Sequence, residues 1–208
     1  MLKLFYSPGA VSLAAHIALE EARAAYELIR IDFKSQQQKS ADYLAINPQG
    51  RVPTLVTEDG ALTETPAILL YIARRFADAH LAPADPWRFA RMVSVISYVA
   101  STVHVDNAHL NRGYRWADSS AAIAEMRRKA PDVMASDLRL LEDQMGQGPW
   151  ILGDQYTVAD AHLFVMTWWA EPDGVPLSRF PNLRAHLDRM QEREAVQRTF
   201  MQEGLSFR

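Results

Sequence analysis

The sequence predicts an α/β domain followed by an all-helical domain, and three observations carry that prediction. Short alternating or apolar runs bounded by turn residues occur only in the first third, at 2–6, 26–33, 52–57 and 61–62. The stretch 78–86 (DAHLAPADP) shifts to Pro, Asp and Ala and reads as a linker. Beyond it the periodic segments have helical spacing throughout. The boundaries are therefore 1–77 for the first domain, 78–86 for the linker and 87–208 for the helical domain.

Each element has a local reason. Leu2, Leu4 and Tyr6 alternate with Lys3 and Phe5, a short strand that Ser7-Pro8-Gly9 breaks. Apolar residues at helical spacing then run over 11–22. The segment 26–33 (YELIRIDF) is a second strand, followed by a polar connection and a short helix over 41–46. A third strand over 52–57 contains Pro53, and Glu58-Asp59-Gly60 turns it into a short fourth strand at Ala61-Leu62. Thr65-Pro66 opens a helix to about residue 76, with Thr65 as its cap. The order β-α-β-α-β-β-α predicts a small mixed sheet with helices on both faces. Helices follow over 87–111, 120–147, 157–170 and 182–193, with a short last one ending near Gly204.

Composition narrows the function. The chain has 208 residues, 49% hydrophobic and 23% charged, enough for a sizeable core. A net charge of −3 argues against a nucleic-acid binder, which would present a basic face. No apolar run approaches the roughly 20 residues that span a bilayer, and the first residues form no secretory leader. The absence of cysteine removes disulfides, cysteine-based zinc sites and any enzyme thiol. No metal-ligand constellation is evident. The expectation is a cytoplasmic protein without nucleic-acid or membrane partners.

Four motifs stand out. The first is the strand–turn–helix at the start, where Tyr6, Ser7, Val11 and Ser12 surround a helix end whose unpaired N–H groups suit an anion. The second is Leu62-Thr63-Glu64-Thr65-Pro66. Thr65 caps a helix whose N–H groups suit a carboxylate, and Glu64 suits an ammonium, which together describe an amino-acid head; ordinary capping with a solvated Glu64 is the plainer alternative. The third, Gly153 to Asp160 (GDQYTVAD), is a capping-box variant of Thr157 with Asp160 and reads as structural. Asn47 to Pro53 (NPQGRVP) turns from the short helix into a strand, and the residues alone favour a trans Val52–Pro53 bond.

Taken together, FYSPGAVSLAAHIALEEA, DYLAINPQGRVPTLV, LTETPAILLYIARRF and GDQYTVADAHLF resemble the cytosolic glutathione S-transferase family, across essentially the whole chain. Within it the pattern is similar to the bacterial beta class. The resemblance implies a thioredoxin-like N-terminal domain, an all-helical C-terminal domain, a homodimer, and glutathione as co-substrate with no further cofactor. It also implies a cis Val52–Pro53 bond with the Val52 backbone pairing to the cysteinyl unit, and Glu64 with Thr65 holding the γ-glutamyl group. His104 matches the class histidine. Four positions depart from the class: Val11 replaces its cysteine, Gln36 a lysine in the loop after the second strand, Ser97 an asparagine, and Val105 the lysine after the histidine. Lys34 or Lys39 could stand in for the loop lysine.

The resemblance makes the expected activity a glutathione S-transferase acting on an apolar electrophile. Without an enzyme thiol, the sulfur must come from glutathione, and a helix N-terminus lowers a thiol from ~8.5 to ~7 or below. Ser12 is the first candidate donor, beside the Val11 and Ser12 N–H groups and the Tyr6 hydroxyl; His104 is a candidate donor or acid/base group. Val11, Tyr114 and Trp169 are candidates for the electrophile pocket. One lost charge-assisted hydrogen bond costs ~1.5–3 kcal/mol, so the departures predict binding on the order of millimolar. The alternative is a non-catalytic module of the same fold that binds ligands or proteins.

Overall fold

The computed structural model describes residues 1–146 and 148–207, which form two compact units: 1–83 with 190–207, and the described residues of 84–189. The first unit is built on a four-stranded sheet of order β2-β1-β3-β4, from β1 (Leu2–Tyr6), β2 (Tyr26–Arg30), β3 (Thr54–Thr57) and β4 (Gly60–Thr63). β1 and β2 are parallel and joined by α1 (Ser12–Glu21), while β3 and β4 form an antiparallel hairpin beside β1. The hairpin turns at Glu58-Asp59, with the Asp59 N–H donating to Thr57 Oγ1 at 3.0 Å.

Both faces of the sheet are covered, which is why β1 is buried almost throughout. Phe5 packs with Ile31, Val52 and Tyr43, the last from α2 (Ala41–Ile46). The directly paired Leu4 and Leu55 are fully buried on the other face, where α1 and α3 (Thr65–Arg75) contribute Leu13, Ile17, Ile68 and Ile72. The chain returns to this unit at its end: α9 (Glu194–Glu203) packs against α1. That return has no local signature, because the helical period of this last segment matches that of the segments before it.

The second unit contains α4 (Pro86–Tyr98), α5 (His104–Arg112), α6 (Ser120–Met145), α7 (Val158–Ala170) and most of α8 (Pro181–Gln191). The single helix expected over 87–111 is interrupted by a π-helical segment, Val99–Val103. There the Ser101 hydroxyl donates back to the Ser97 carbonyl at 2.8 Å. The expected helix over 120–147 ends at Met145, and residue 147 lies outside the described residues. The Thr157 and Asp160 capping box forms: Asp160 accepts from the Thr157 N–H and, through its other oxygen, from the Ile151 N–H, both at 2.8 Å. No helix among the described residues is long and apolar enough to cross a membrane.

Asp106 on α5 faces Asp137 on α6, and burial, followed by that neighbour, pushes its carboxyl up to about 7. A folded-state value above the unfolded one gives stability that is complete at low pH and lost as pH rises through about 7. Thermal denaturation should therefore show stability falling between about pH 4 and 7, by on the order of 1–2 kcal/mol after solvent screening. Asp106→Asn should flatten that slope.

Candidate active site

The sheet register gathers the candidate residues at one edge. Phe5 pairs with Thr54 and Thr54 with Thr63, so the next positions along, Tyr6, Pro53 and Glu64, meet where all three strands end. Two helices start from the same edge, α1 after Tyr6 and α3 after Glu64. Their first N–H groups therefore serve one locality.

At α1, Val11 is the cap residue, and the Leu13 and Ala14 N–H groups are spent on the Ala10 and Val11 carbonyls. Among the described residues the Val11 and Ser12 N–H groups have no backbone acceptor outside the helix, which leaves them for a ligand. The Ser12 hydroxyl, expected as the first donor to sulfur, is fully buried. It donates to the Ser7 carbonyl and accepts from the Ser7 N–H, each at 3.3 Å. It braces the turn from inside. Burial, followed by the charge of Glu203, raises the Tyr6 hydroxyl above its ordinary value, so it stays protonated and able to donate.

The Val52–Pro53 bond is cis, as the family resemblance implied and against the trans reading of the residues alone. The turn before it is braced by Asn47, which is buried and donates to the Arg51 carbonyl and Thr54 Oγ1 at 2.8 and 2.9 Å. Gly50 is required there: it has φ +62, and a Cβ would lie 2.7 Å from the Gln38 carbonyl oxygen. The Lys39 ammonium reaches over this glycine, 3.0 Å from the same point. Gln36 is exposed in a left-handed conformation in the loop before it.

Thr65 is the first helical residue of α3 rather than its cap. The Glu64 carbonyl accepts the Ile68 N–H at 3.0 Å, which makes Glu64 the cap, and Pro66 follows where its missing N–H costs nothing. Glu64 holds φ 69°, a conformation non-glycine residues avoid at a cost of about 1–3 kcal/mol. Thr65 itself is buried.

One part of this locality was missed in the sequence. His16 on α1 and Glu203 on α9 are buried, with His16 Nδ1 2.8 Å from Glu203 Oε1 and His16 Nε2 2.7 Å from Gln202 Oε1. The other Glu203 oxygen accepts the Gly9 N–H at 2.9 Å, so α9 holds the turn after β1. A histidine inside the apolar run AAHIAL was the only signal available.

The helical unit carries the remaining candidates. The His104 and Trp169 rings lie 5.6 Å apart and tilted. Tyr114 is largely exposed, just beyond α5. His162, one helix over, is fully buried, and neither ring nitrogen has a hydrogen-bond partner among the described residues. Burial, then His104, lowers it to about 3, so it stays neutral.

Residues 1–74 match the family profile described as glutathione S-transferase, N-terminal domain, and residues 120–189 the one described as its C-terminal domain. A glutathione S-transferase GstA of Escherichia coli O157:H7 is 33% identical, covering 98% of this chain and 100% of its own. The chain belongs to the glutathione S-transferase family. A glutathione transferase homologue from sulfitobacter, solved with bound glutathione, is 40% identical, with a TM-score of 0.94 and 99% of each chain covered. A bacterial beta-class glutathione S-transferase of Sphingomonas chungbukensis is 37% identical, with a TM-score of 0.86 and coverage of 98% and 100%. Membership in this family makes the chain a transferase, with a thioredoxin-like sheet in its first unit.

The Glu203 clamp gives a stability prediction. Glu203→Ala leaves the Gly9 N–H and His16 without their buried acceptor, and should cost about 3–5 kcal/mol in urea denaturation. A loss under 1 kcal/mol would show that the clamp is dispensable.

Proposed function

We propose that this transferase binds glutathione along the strand-end edge and conjugates its sulfur to an apolar electrophile. The observation that carries the reading is the register that brings Tyr6, Pro53 and Glu64 to one edge with two helix starts. The γ-glutamyl carboxylate takes the N-terminus of α3 at Thr65, and its ammonium takes the Glu64 carboxylate. The Val52 backbone pairs with the cysteinyl unit. Gln36 and Lys39 serve the glycine end, Lys39 supplying the charge that Gln36 lacks.

The thiolate rests on the Val11 and Ser12 N–H groups with the Tyr6 hydroxyl as a further donor; Ser12 acts through its backbone and through its brace on Ser7. The thiolate attacks the electrophilic carbon, a C–S bond forms, and the leaving group departs with its electron pair. The thiol proton passes to solvent. Val11 presents an apolar wall where a second thiol would invite disulfide exchange. His104, Trp169 and Tyr114, on the helical unit, are assigned to the electrophile, and His162 stays neutral through its burial and then through His104. The working form is a homodimer in the cytoplasm.

Calorimetry should give a glutathione Kd on the order of a millimolar, weakened roughly tenfold by Glu64→Gln. Thioether formation with chlorodinitrobenzene should exceed the uncatalysed rate. Turnover no faster than background would contradict the enzymatic reading and leave a binding module.

A further inference from the structure

We propose that His16 is a buried imidazolium that, locked to Glu203, acts as a positioning pair for the sulfur site, so that the last helix of the chain completes it; this rests on the glutathione reading of that site. All the residues involved belong to the first unit.

The protonation follows from what surrounds the ring. His16 is fully buried, and both its nitrogens face oxygen: Nδ1 lies 2.8 Å from Glu203 Oε1 and Nε2 2.7 Å from Gln202 Oε1. The direction of the Gln202 amide is set on its far side. Its Nε2 group donates to Glu20 Oε1 at 3.1 Å, and Arg198 holds the other Glu20 oxygen at 2.8 Å. Reversing the amide would turn its carbonyl onto the Glu20 carboxylate, so Gln202 presents an acceptor to His16. A neutral imidazole donates at one nitrogen only. A second proton therefore lies between Nδ1 and Glu203, and an imidazole holds it more strongly than a carboxylate does. The opposite charges make this burial tolerable.

What the pair holds is the turn that leads into the sulfur site. The other Glu203 oxygen accepts the Gly9 N–H at 2.9 Å, and Gly9 stands two residues before Val11 with φ 68°. The Ser12 hydroxyl braces the same turn at Ser7, so the chain entering α1 is held at two points. The His16 ring, one helical turn along from Ser12, packs 6.0 Å from the Tyr6 ring. The pair thus supports both sets of donors assigned to the thiolate, the N–H groups through Gly9 and the Tyr6 hydroxyl through its ring. Charge and geometry can be separated. In Glu203→Gln the amide oxygen still accepts the Gly9 N–H, and its NH2 group donates to Nδ1 of a neutral His16, so the turn keeps its shape while both charges go.

Long-range 1H–15N NMR of the full chain tests the protonation, with His16 assigned by its loss in His16→Gln. At pH 7 it should show two proton-bearing ring nitrogens, and one in Glu203→Gln; one in the unsubstituted protein would overturn the proposal whatever glutathione does. Thiolate absorbance of bound glutathione then reads the positioning, below the thermal midpoint of each protein. Glu203→Gln should keep the ionised fraction at pH 7 within about twofold, and Glu203→Ala should lower it roughly tenfold. An unchanged fraction in Glu203→Ala would make the pair structural only, and an equal loss in Glu203→Gln would make it act by charge; either result overturns the proposal. If all three proteins leave glutathione titrating as it does in free solution, the glutathione reading itself fails.

Discussion

The antiparallel pairing of β3 with both β1 and β4 is the constraint on which the first unit depends. Phe5 opposite Thr54, and Thr54 opposite Thr63, fix which residues leave the sheet together. Because side chains alternate along a strand, a one-residue slip would turn Leu55 away from Leu4 and move the Val52–Pro53 turn out of line with Tyr6 and Glu64. The fully buried Leu4–Leu55 pair makes such a slip expensive. Register set by the core therefore positions the helix starts that a ligand would use.

Buried carboxylates secure loops in each of the two units. Glu203 accepts the Gly9 N–H, Asp160 those of Ile151 and Thr157, and Glu142 those of Asn182 and Leu183 at the start of α8. In each case the desolvated charge is matched by backbone donors, which is what makes its burial tolerable. Asp106 is the contrast. It meets another carboxyl, and its raised proton affinity follows from burial first and then from that neighbour. The same logic explains why Ser12 makes a poor free donor: the turn after β1 has already used its hydroxyl.

What could be read from the sequence follows the range of the interactions involved. The strands, the Asp160 capping box and the Glu64-Thr65 pair depend on neighbours a few residues away, and their periodicity or spacing is visible. Cap position at α3 depends on which carbonyl the Ile68 N–H reaches, so Glu64 rather than Thr65 took it. The π-helical segment at Val99–Val103 leaves the apolar spacing of 87–111 nearly intact and so gave no signal. The pairing of His16 with Glu203 joins residues 187 apart in the chain, and no local pattern encodes it. The cis bond at Pro53 was carried by family resemblance, since the residues themselves allow either form.

In the proposed mechanism this chain, lacking any thiol of its own, ionises a borrowed one with backbone N–H groups at the start of α1. The direct measurement is the pH titration of thiolate absorbance for glutathione bound at saturation, compared with free glutathione. The expected midpoint lies at least about one unit below the ~8.5 of a free thiol and is retained in Tyr6→Phe to within about half a unit. A bound thiol that titrates like free glutathione would contradict it.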